Sequence, residues 1–271
     1  MTTLAERMLS PVAAIGRPVV RGLESLTQIT RLLLETLYFI VVGPFTGKTR
    51  FRQLVFPLMQ QIGVRSLFIT CLVSILVGGI LVINTADQFK KYGVINFVPT
   101  MICLAVVREL GPLMTAIVLA GRVGAAFTAG LGSMVINEEV LALKTMGINP
   151  VGYLVAPRFI AICVMLPCLT IFSYLIGNIG GLIAGTTLYD IGFWSYIDNA
   201  RNAFELVEIA GGLVKAFVFG AVICLISCQN AFSVRGGPEG VGRNTMISVV
   251  MCLVMIIVAD AIITMIMAPL Y

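Results

Sequence analysis

Five long apolar stretches dominate this sequence and restrict the folds open to it. The longest, Phe159–Tyr189, has 31 residues without a charge, whereas about 20 apolar residues suffice for a helix that crosses a bilayer. Of the 271 residues, 59% are hydrophobic and 11% are charged, against about 25% charged residues in a soluble domain. We therefore predict an all-α membrane protein with five transmembrane helices, at about 66–86, 98–131, 159–189, 209–233 and 245–269.

The lack of histidine excludes several kinds of chemical site. The sequence has no histidine and seven cysteines, and no two cysteines have the CxxC spacing of zinc and redox sites. The segment VVGPFTGKT (41–49) resembles a phosphate-binding loop, but three residues separate its glycines where that motif requires four. We predict no catalytic residue, no metal, no cofactor and no nucleic-acid partner, and we expect ATP, if used, to be bound by another protein.

Positive charge is concentrated before the first predicted transmembrane helix. Eight of the 18 Lys and Arg residues lie at or before Arg65. With a cytoplasmic N-terminus, the cytoplasmic parts hold twelve of these cations and the outer loops hold three, as the positive-inside rule requires. The segment from Asp190 to Glu208 carries four acids and one arginine, and we place it outside.

The N-terminal part of the chain has a different pattern. We divide the sequence into a basic cytoplasmic or interfacial helical segment, 1–62, and a five-span domain, 63–271. Within 19–42, apolar residues recur on one helical stripe, which predicts an amphipathic helix. It either lies on the membrane surface or packs against the protein's own cytoplasmic side. The stripe consists of Leu23, Leu26, Ile29, Leu33, Leu37 and Ile40.

Two adjacent charges lie near the middle of the second predicted span, in the sequence RELGP (108–112). Arg108 is about 15 Å from the start of that span, near the bilayer centre. Arg108 and Glu109 point in directions about 100° apart and do not neutralise each other, and Pro112 predicts a kink. Such residues commonly mark a functional site. The alternatives are ion pairs with another helix or snorkelling of Arg108. Asp260, in the fifth span, is a weaker candidate that could pair with a nearby cation.

The segment after the second span predicts a short amphipathic helix at about Asn137–Met146, within a loop at about 133–157. We expect Asn137 to cap it, with Glu138 and Glu139 at its positive end. Gly147 is expected to end it. Its apolar residues at helical spacing, Val140, Leu143 and Met146, favour a surface on which a cytoplasmic partner docks.

Small residues recur at four-residue spacing in several spans, which allows close helix contact within one chain or between two copies. The clearest sets are Gly177, Gly181 and Gly185 in the third span, and Gly212, Ala216 and Gly220 in the fourth.

Three blocks of this sequence resemble the MlaE/YrbE permease family: VVRELGPLMTAIVLAGRVGAAFTAGLGSM, EEVLALKTMGINPVGYLVAPRF and GGPEGVGRNT. The resemblance extends over about residues 50–270. It implies the permease subunit of an ABC lipid transporter in the bacterial inner membrane. A homodimer of permeases would bind cytoplasmic ATPase subunits, hold phospholipid or a related hydrophobic lipid between the two copies, and face an MCE protein outside.

The resemblance also implies roles for individual residues. Glu109 would lie beside the lipid cavity, and the loop helix would be the coupling helix that fits a cleft of the ATPase. Related sequences commonly carry an acid where this chain has Gly130, and a glutamine near the position of Asn84. Our candidates for substrate binding are Arg108, Glu109, Asn84 and Asp260, and those for ATPase coupling are Asn137, Glu138, Glu139, Leu143 and Met146.

The sequence leaves two other classes of function as alternatives. An ion- or proton-coupled carrier acting without an ATPase would use Glu109 and Asp260 as proton sites. An intramembrane enzyme is disfavoured, because the sequence has no histidine and no GxSxG motif.

Overall fold

The chain is a bundle of long helices with short helices at both ends. The computed structural model describes residues 27–41 and 51–270, and all regular elements within these ranges are helical. The helices are α1 (27–41), α2 (Phe51–Lys91), α3 (Ile95–Ile136), α4 (Glu139–Thr145), α5 (Val151–Leu188), α6 (Phe193–Ala203), α7 (Leu206–Phe232) and α8 (Gly237–Met267).

Five of these helices, α2, α3, α5, α7 and α8, are long and apolar enough to cross a membrane. The prediction of an all-α, multi-pass membrane protein is therefore confirmed. The N-terminal part of the predicted amphipathic helix and most of the segment that resembles a phosphate-binding loop lie outside the described residues.

Helix α2 extends well beyond the apolar run that predicted it. Its 41 residues correspond to a length of about 60 Å, about twice the thickness of a bilayer core. The helix begins at Phe51 and passes through residues 62 and 63 without a break. The proposed division of the chain between these two residues therefore lies inside one helix and stays a prediction.

The bundle has two distinguishable ends. Helix α1 and the α4 loop lie at one end, where Phe39 of α1 packs against Gly152 at the start of α5. Helix α6 connects α5 and α7 at the other end. We call these the α1 end and the α6 end.

Helices α2 and α5 form the most extensive helix pair of the bundle. A Cβ atom on Gly78 would lie 1.9 Å from the carbonyl oxygen of Gly177, and one on Gly180 would lie 2.1 Å from that of Ile75. The two backbones therefore touch at glycine residues, as small-residue motifs in membranes allow. The sequence left open whether Gly177 packs against a helix of its own chain or of a second copy. This contact with α2 supports packing within one chain.

Helix α1 packs against the protein's own α1 end. Leu32 and Thr36 are buried, whereas Leu34, Tyr38 and Val41 are exposed by 59–65%. This supports the second of the two alternatives for the amphipathic helix. Because α1 presents a further apolar side outward, contact of that side with the membrane surface stays a prediction.

The loop after α3 folds into a short helix, α4, whose start differs from the expected one. The amide of Asn137 donates to the carbonyl oxygen of Ser133, 3.0 Å away, so Asn137 closes α3 instead of capping α4. Glu138, with a left-handed φ of 60°, precedes the first residue of α4. The expected cap was wrong because α3 continues as a helix up to Ile136.

The end of α4 agrees with the sequence. Gly147 has a φ of +75°. Its amide donates to the carbonyl oxygen of Lys144, and the amide of Ile148 donates to that of Leu143. This pair of hydrogen bonds is the Schellman motif that a glycine at this position favours, so the predicted end of the helix is confirmed.

Candidate functional site: a charged cluster inside the helix bundle

Arg108 and Glu109 lie in a π-helical turn of α3, Val106–Leu110. Pro112 has no amide hydrogen, so the carbonyl of Arg108 cannot receive its usual helical hydrogen bond. The amide of Gly111 donates to the carbonyl oxygen of Val106, five residues back. This widened turn is the local distortion at the position where the sequence predicted a kink, and such turns frequently occur at functional sites.

Two glycines let neighbouring helices approach this turn closely. A Cβ on Gly111 would lie 2.6 Å from the ring of Tyr174, which belongs to α5. A Cβ on Gly212 of α7 would lie 2.5 Å from the carbonyl oxygen of Val107. Glu208 precedes Gly212 by about one helical turn, so the close approach brings the Glu208 carboxylate to Arg108.

Arg108 and Glu208 form a bidentate ion pair between α3 and α7. Both Nε and Nη2 of Arg108 donate to the carboxylate oxygens of Glu208, the geometry that gives strong charge-assisted hydrogen bonds. The placement of Glu208 in an outer loop was wrong: it lies in the first turn of α7 and is 4% exposed. The uncharged run of the span begins only after it, at Ile209, although the helix already includes Leu206 and Val207.

Lys215 of α7 connects Glu109 with Asp260 of α8. Its Nζ lies 2.6 Å from Oε2 of Glu109 and 3.1 Å from Oδ1 of Asp260, the latter an ion pair without hydrogen-bond alignment. The ammonium also donates to Oγ1 of Thr264 at 2.7 Å. That hydroxyl in turn donates to Oε1 of Glu109 at 3.1 Å. Adjacent residues of α3 thus pair in different directions, as their helical spacing predicted.

These side chains form one central cluster, defined by Arg108, Glu109, Glu208, Lys215 and Asp260. It contains two cations and three carboxylates, so its formal charge is −1 when all are ionised. The cluster is open on one side, because the Arg108 and Glu109 side chains are 35% and 37% exposed while that of Lys215 is 2% exposed. It therefore offers charged hydrogen-bonding groups at the surface of the bundle, within membrane-spanning segments.

The structure brings three of the four predicted substrate-binding residues together and leaves the fourth apart. Asn84 is exposed on α2. It lies six residues beyond Gly78, which contacts α5 at Gly177, and Gly177 in turn contacts Val106 in the π-helical turn. This separation corresponds to about 9 Å along the helix toward the α6 end. The two buried partners, Glu208 and Lys215, were not among the predicted site residues, although a lysine inside the fourth span was a usable signal.

Comparison with known proteins identifies the family of this chain. The family model described as Permease MlaE matches residues 55–266. The chain belongs to the MlaE permease family. The family assignment made from the three sequence blocks is thereby confirmed, and the matched region contains the whole central cluster.

Individual relatives agree with this assignment. A protein of Rickettsia typhi named probable ABC transporter permease is 31% identical, over 95% of this chain and 97% of its own length. A permease of the same description from Synechocystis is 36% identical, over 74% of this chain and 77% of its own length. The Arabidopsis thaliana protein TRIGALACTOSYLDIACYLGLYCEROL 1, chloroplastic, is 36% identical, over 82% of this chain and 63% of its own length.

This MlaE permease is thus a membrane subunit of an ABC transporter, a class that works with a separate ATPase subunit. The predicted coupling residues lie at the α1 end. Glu138, Glu139 and Met146 are exposed, whereas Val140 is buried and Leu143 is half-buried against the core of the permease. Two of the three apolar residues of the α4 stripe therefore hold the helix on its own subunit. The outward surface combines two carboxylates with exposed apolar side chains.

A large cavity lies next to this outward surface. It has a volume of about 690 Å³ and is bounded by α1, through Glu35, and by the α4 loop, through Leu141, Lys144 and Ile148. The α1 end therefore presents a recess beside an exposed short helix. Such a recess can accommodate a segment of another protein.

Proposed function

We propose that this MlaE permease moves phospholipid or a related hydrophobic lipid between the bacterial inner membrane and an MCE protein on the outer side. Partner ATPase subunits, bound at the α1 end, would hydrolyse the ATP that drives the movement. The chain would act as a transport subunit that makes and breaks no covalent bonds. Its N-terminus would lie in the cytoplasm, in accordance with the excess of cations at the α1 end.

The observation that carries this proposal is the exposure of Arg108 and Glu109 within a membrane-spanning helix. About a third of each side chain is accessible, and a charge in contact with lipid chains at that depth costs several kcal/mol. A second copy of the permease would relieve this cost by enclosing a polar cavity with the first. Lipid headgroups could then enter the cavity while acyl chains contact its apolar walls.

Helix α3 connects α4, the proposed ATPase contact, with the central cluster, and this supports a mechanical role for α4. Helix α4 follows α3 after Asn137 and Glu138, and α3 carries Arg108 and Glu109. The central cluster also ties α3 to α7 and α8. Closure of the ATPase pair would push α4, and α3 would transmit that movement to the cluster and compress the lipid cavity. Helices α2 and α8 would move with α3.

The lipid class has support from one relative and from the site. The name of the Arabidopsis relative contains that of a galactolipid, trigalactosyldiacylglycerol. The central cluster provides both cationic and anionic hydrogen-bonding groups, which suit a polar headgroup. Asn84, on the side of the α6 end, remains our candidate for a contact on the path toward the MCE protein.

An ion- or proton-coupled carrier is the alternative, with Glu109 and Asp260 as proton sites. Membership of an ABC permease family favours transport driven by a partner ATPase over an ion-coupled carrier. The carrier would be supported instead by a purified permease that lacks an ATPase and moves protons or cations across vesicles under an imposed gradient.

Glu109→Gln is expected to slow lipid transport by about tenfold or more while leaving the complex assembled. The substitution keeps the size of the side chain but replaces the ion pair with Lys215 by a hydrogen bond to a neutral amide, a change of about 1.5 kcal/mol or more. The measurement is ATP-dependent transfer of a labelled phospholipid between vesicles containing the purified complex and the isolated MCE protein.

Glu205→Gln is the matched control, because Glu205 is exposed directly before α7 and is not one of the acids that pair with Arg108 or Lys215 in the central cluster. It should transfer lipid at the wild-type rate. Normal transfer by Glu109→Gln would remove Glu109 from the transport path.

Reversing the charges of Glu138 and Glu139 to lysine is expected to weaken ATPase binding by about tenfold, because an exposed interface charge then repels its partner group. ATPase co-purification and ATP turnover measure this effect. Reversal of Lys90 and Lys91 to glutamate, at the α6 end, is the control and should change neither. Equal loss in both variants would refute a docking role for α4, and a loss confined to the control would invert the proposed orientation.

A further inference from the structure

A second cavity, with polar side chains in a partly apolar wall, lies between α2, α3 and α5, nearer the α1 end than the central cluster. Its volume is about 250 Å³, and its lining includes Gln61, Arg122, Gly130 and Arg158. A water molecule occupies about 30 Å³ of liquid volume, so the cavity has room for a group several times larger. Two arginines contribute to one small space, which is a costly arrangement unless an anion accompanies them.

Neither arginine has a carboxylate partner in the described part of the chain. Arg122 donates from Nη1 to the hydroxyl of Ser66. Arg158 donates from Nη1 to the carbonyl oxygen of Leu154 at 2.6 Å, and its guanidinium carbon lies 5.8 Å from the centre of the Phe127 ring. By contrast, the cations of the central cluster, Arg108 and Lys215, each pair with an acid.

There is free space beside Gly130, which lines the cavity. A Cβ atom on Gly130 would have no other atom within 4 Å, and the backbone there is ordinary helix. An acidic side chain at this position could therefore reach the cavity without a clash. This chain has glycine there, so the positive charge of the two arginines is left for a ligand to balance.

The cavity lies at the boundary between apolar and charged sequence. Arg158 directly precedes the uncharged run 159–189, and Ser66, the partner of Arg122, directly follows Arg65 and opens the uncharged run of α2. This is the level at which lipid headgroups meet a transmembrane bundle. Arginine is suited to phosphate because its planar guanidinium donates several hydrogen bonds in a fixed geometry.

We propose that this cavity binds the phosphate group of a membrane glycerophospholipid, held by Arg122 and Arg158, in the leaflet at the α1 end. The site is separate from the central cluster and does not depend on the proposed transport function. The group that the two arginines would bind is a phosphate diester. Free inorganic phosphate would satisfy the same donors, and the position at the headgroup level favours the lipid.

The test uses the purified transporter complex after removal of bound lipid in detergent. Phosphatidylglycerol, diacylglycerol with the same acyl chains, or inorganic phosphate is titrated while the unfolding midpoint is recorded. Phosphatidylglycerol should stabilise the protein more than diacylglycerol does. Gly130→Glu should weaken this binding by about tenfold, because its carboxylate occupies the arginines, and Arg158→Met should also weaken it.

Gly242→Glu is the matched control, because Gly242 is likewise a helical position with nothing within 4 Å and it lies outside the cavity lining. It should bind phosphatidylglycerol like the wild type, including any lipid bound at the central cluster. Equal affinities of Gly130→Glu and Gly242→Glu, or equal effects of diacylglycerol and phosphatidylglycerol, would overturn the proposal. Stabilisation by inorganic phosphate but not by phosphatidylglycerol would show that the cavity binds free phosphate and not a lipid headgroup.

Discussion

Replacing Lys215 with methionine is expected to destabilise the folded permease by about 3–5 kcal/mol, the range for removing one partner of a buried ion pair. The Lys215 side chain is buried, and it is the ion-pair partner of both Glu109 and Asp260. Without it, two carboxylates remain close together inside a membrane-spanning bundle with no cation to balance them. Denaturant unfolding in detergent, compared with the wild type, measures the change.

Lys91→Met is the control for the loss of a lysine, because Lys91 is exposed at the end of α2. Its effect should stay within about 0.5 kcal/mol. A triple variant, Lys215→Met with Glu109→Gln and Asp260→Asn, should recover much of the lost stability, since no unpaired charge then remains buried. A Lys215→Met protein as stable as the wild type would contradict the ion-pair network described above.

Gly78→Ala is expected to destabilise the protein by about 1–3 kcal/mol or more through overpacking. The added methyl group would lie 1.9 Å from the carbonyl oxygen of Gly177, and a backbone atom cannot move aside as a side chain can. Helices α2 and α5 would have to separate along the most extensive contact of the bundle. The free energy of unfolding, measured as for Lys215→Met, reports this loss.

Gly242→Ala makes the same chemical change at an open helical position of α8. It should be neutral or stabilising by up to about 1 kcal/mol, because alanine is the better helix former. Opposite signs for the two variants would support backbone contact at Gly78. Equal effects would show that the two helices do not approach as closely as described.

The helices could be predicted from the sequence largely because the bilayer simplifies the problem. A span must satisfy its backbone hydrogen bonds internally, so the length of an apolar run indicates a helix almost by itself. The positions of all five spans follow from this rule. Their ends were less predictable: α2 starts at Phe51 and α8 at Gly237. Polar residues can continue a helix past its apolar part, and the proline near the start of α8 lies in the first turn, where a helix tolerates it.

Only part of the candidate site could be predicted from the sequence. Arg108, Glu109 and Asp260 stood out as charges in apolar surroundings, and the structure joins them through Lys215. Asn84 was assigned by resemblance, and it lies apart from the cluster. Glu208 was assigned to a loop, although it is the carboxylate that pairs with Arg108. Its position next to an apolar run was ambiguous, since the first turn of a span and the last residues of a loop look alike.

The sequence by itself determined that this chain has five helices able to cross a membrane, that α4 ends at Gly147, and that charges lie within those long apolar helices. Those features depend on local composition and on residues close together in the chain. Only the tertiary structure decided which charges pair, since Arg108 and Glu208 are 100 residues apart and meet through the close approach of α7 to a π-helical turn. Charge is present in the sequence, but its neutralisation depends on distance and burial, and these are set by helix packing.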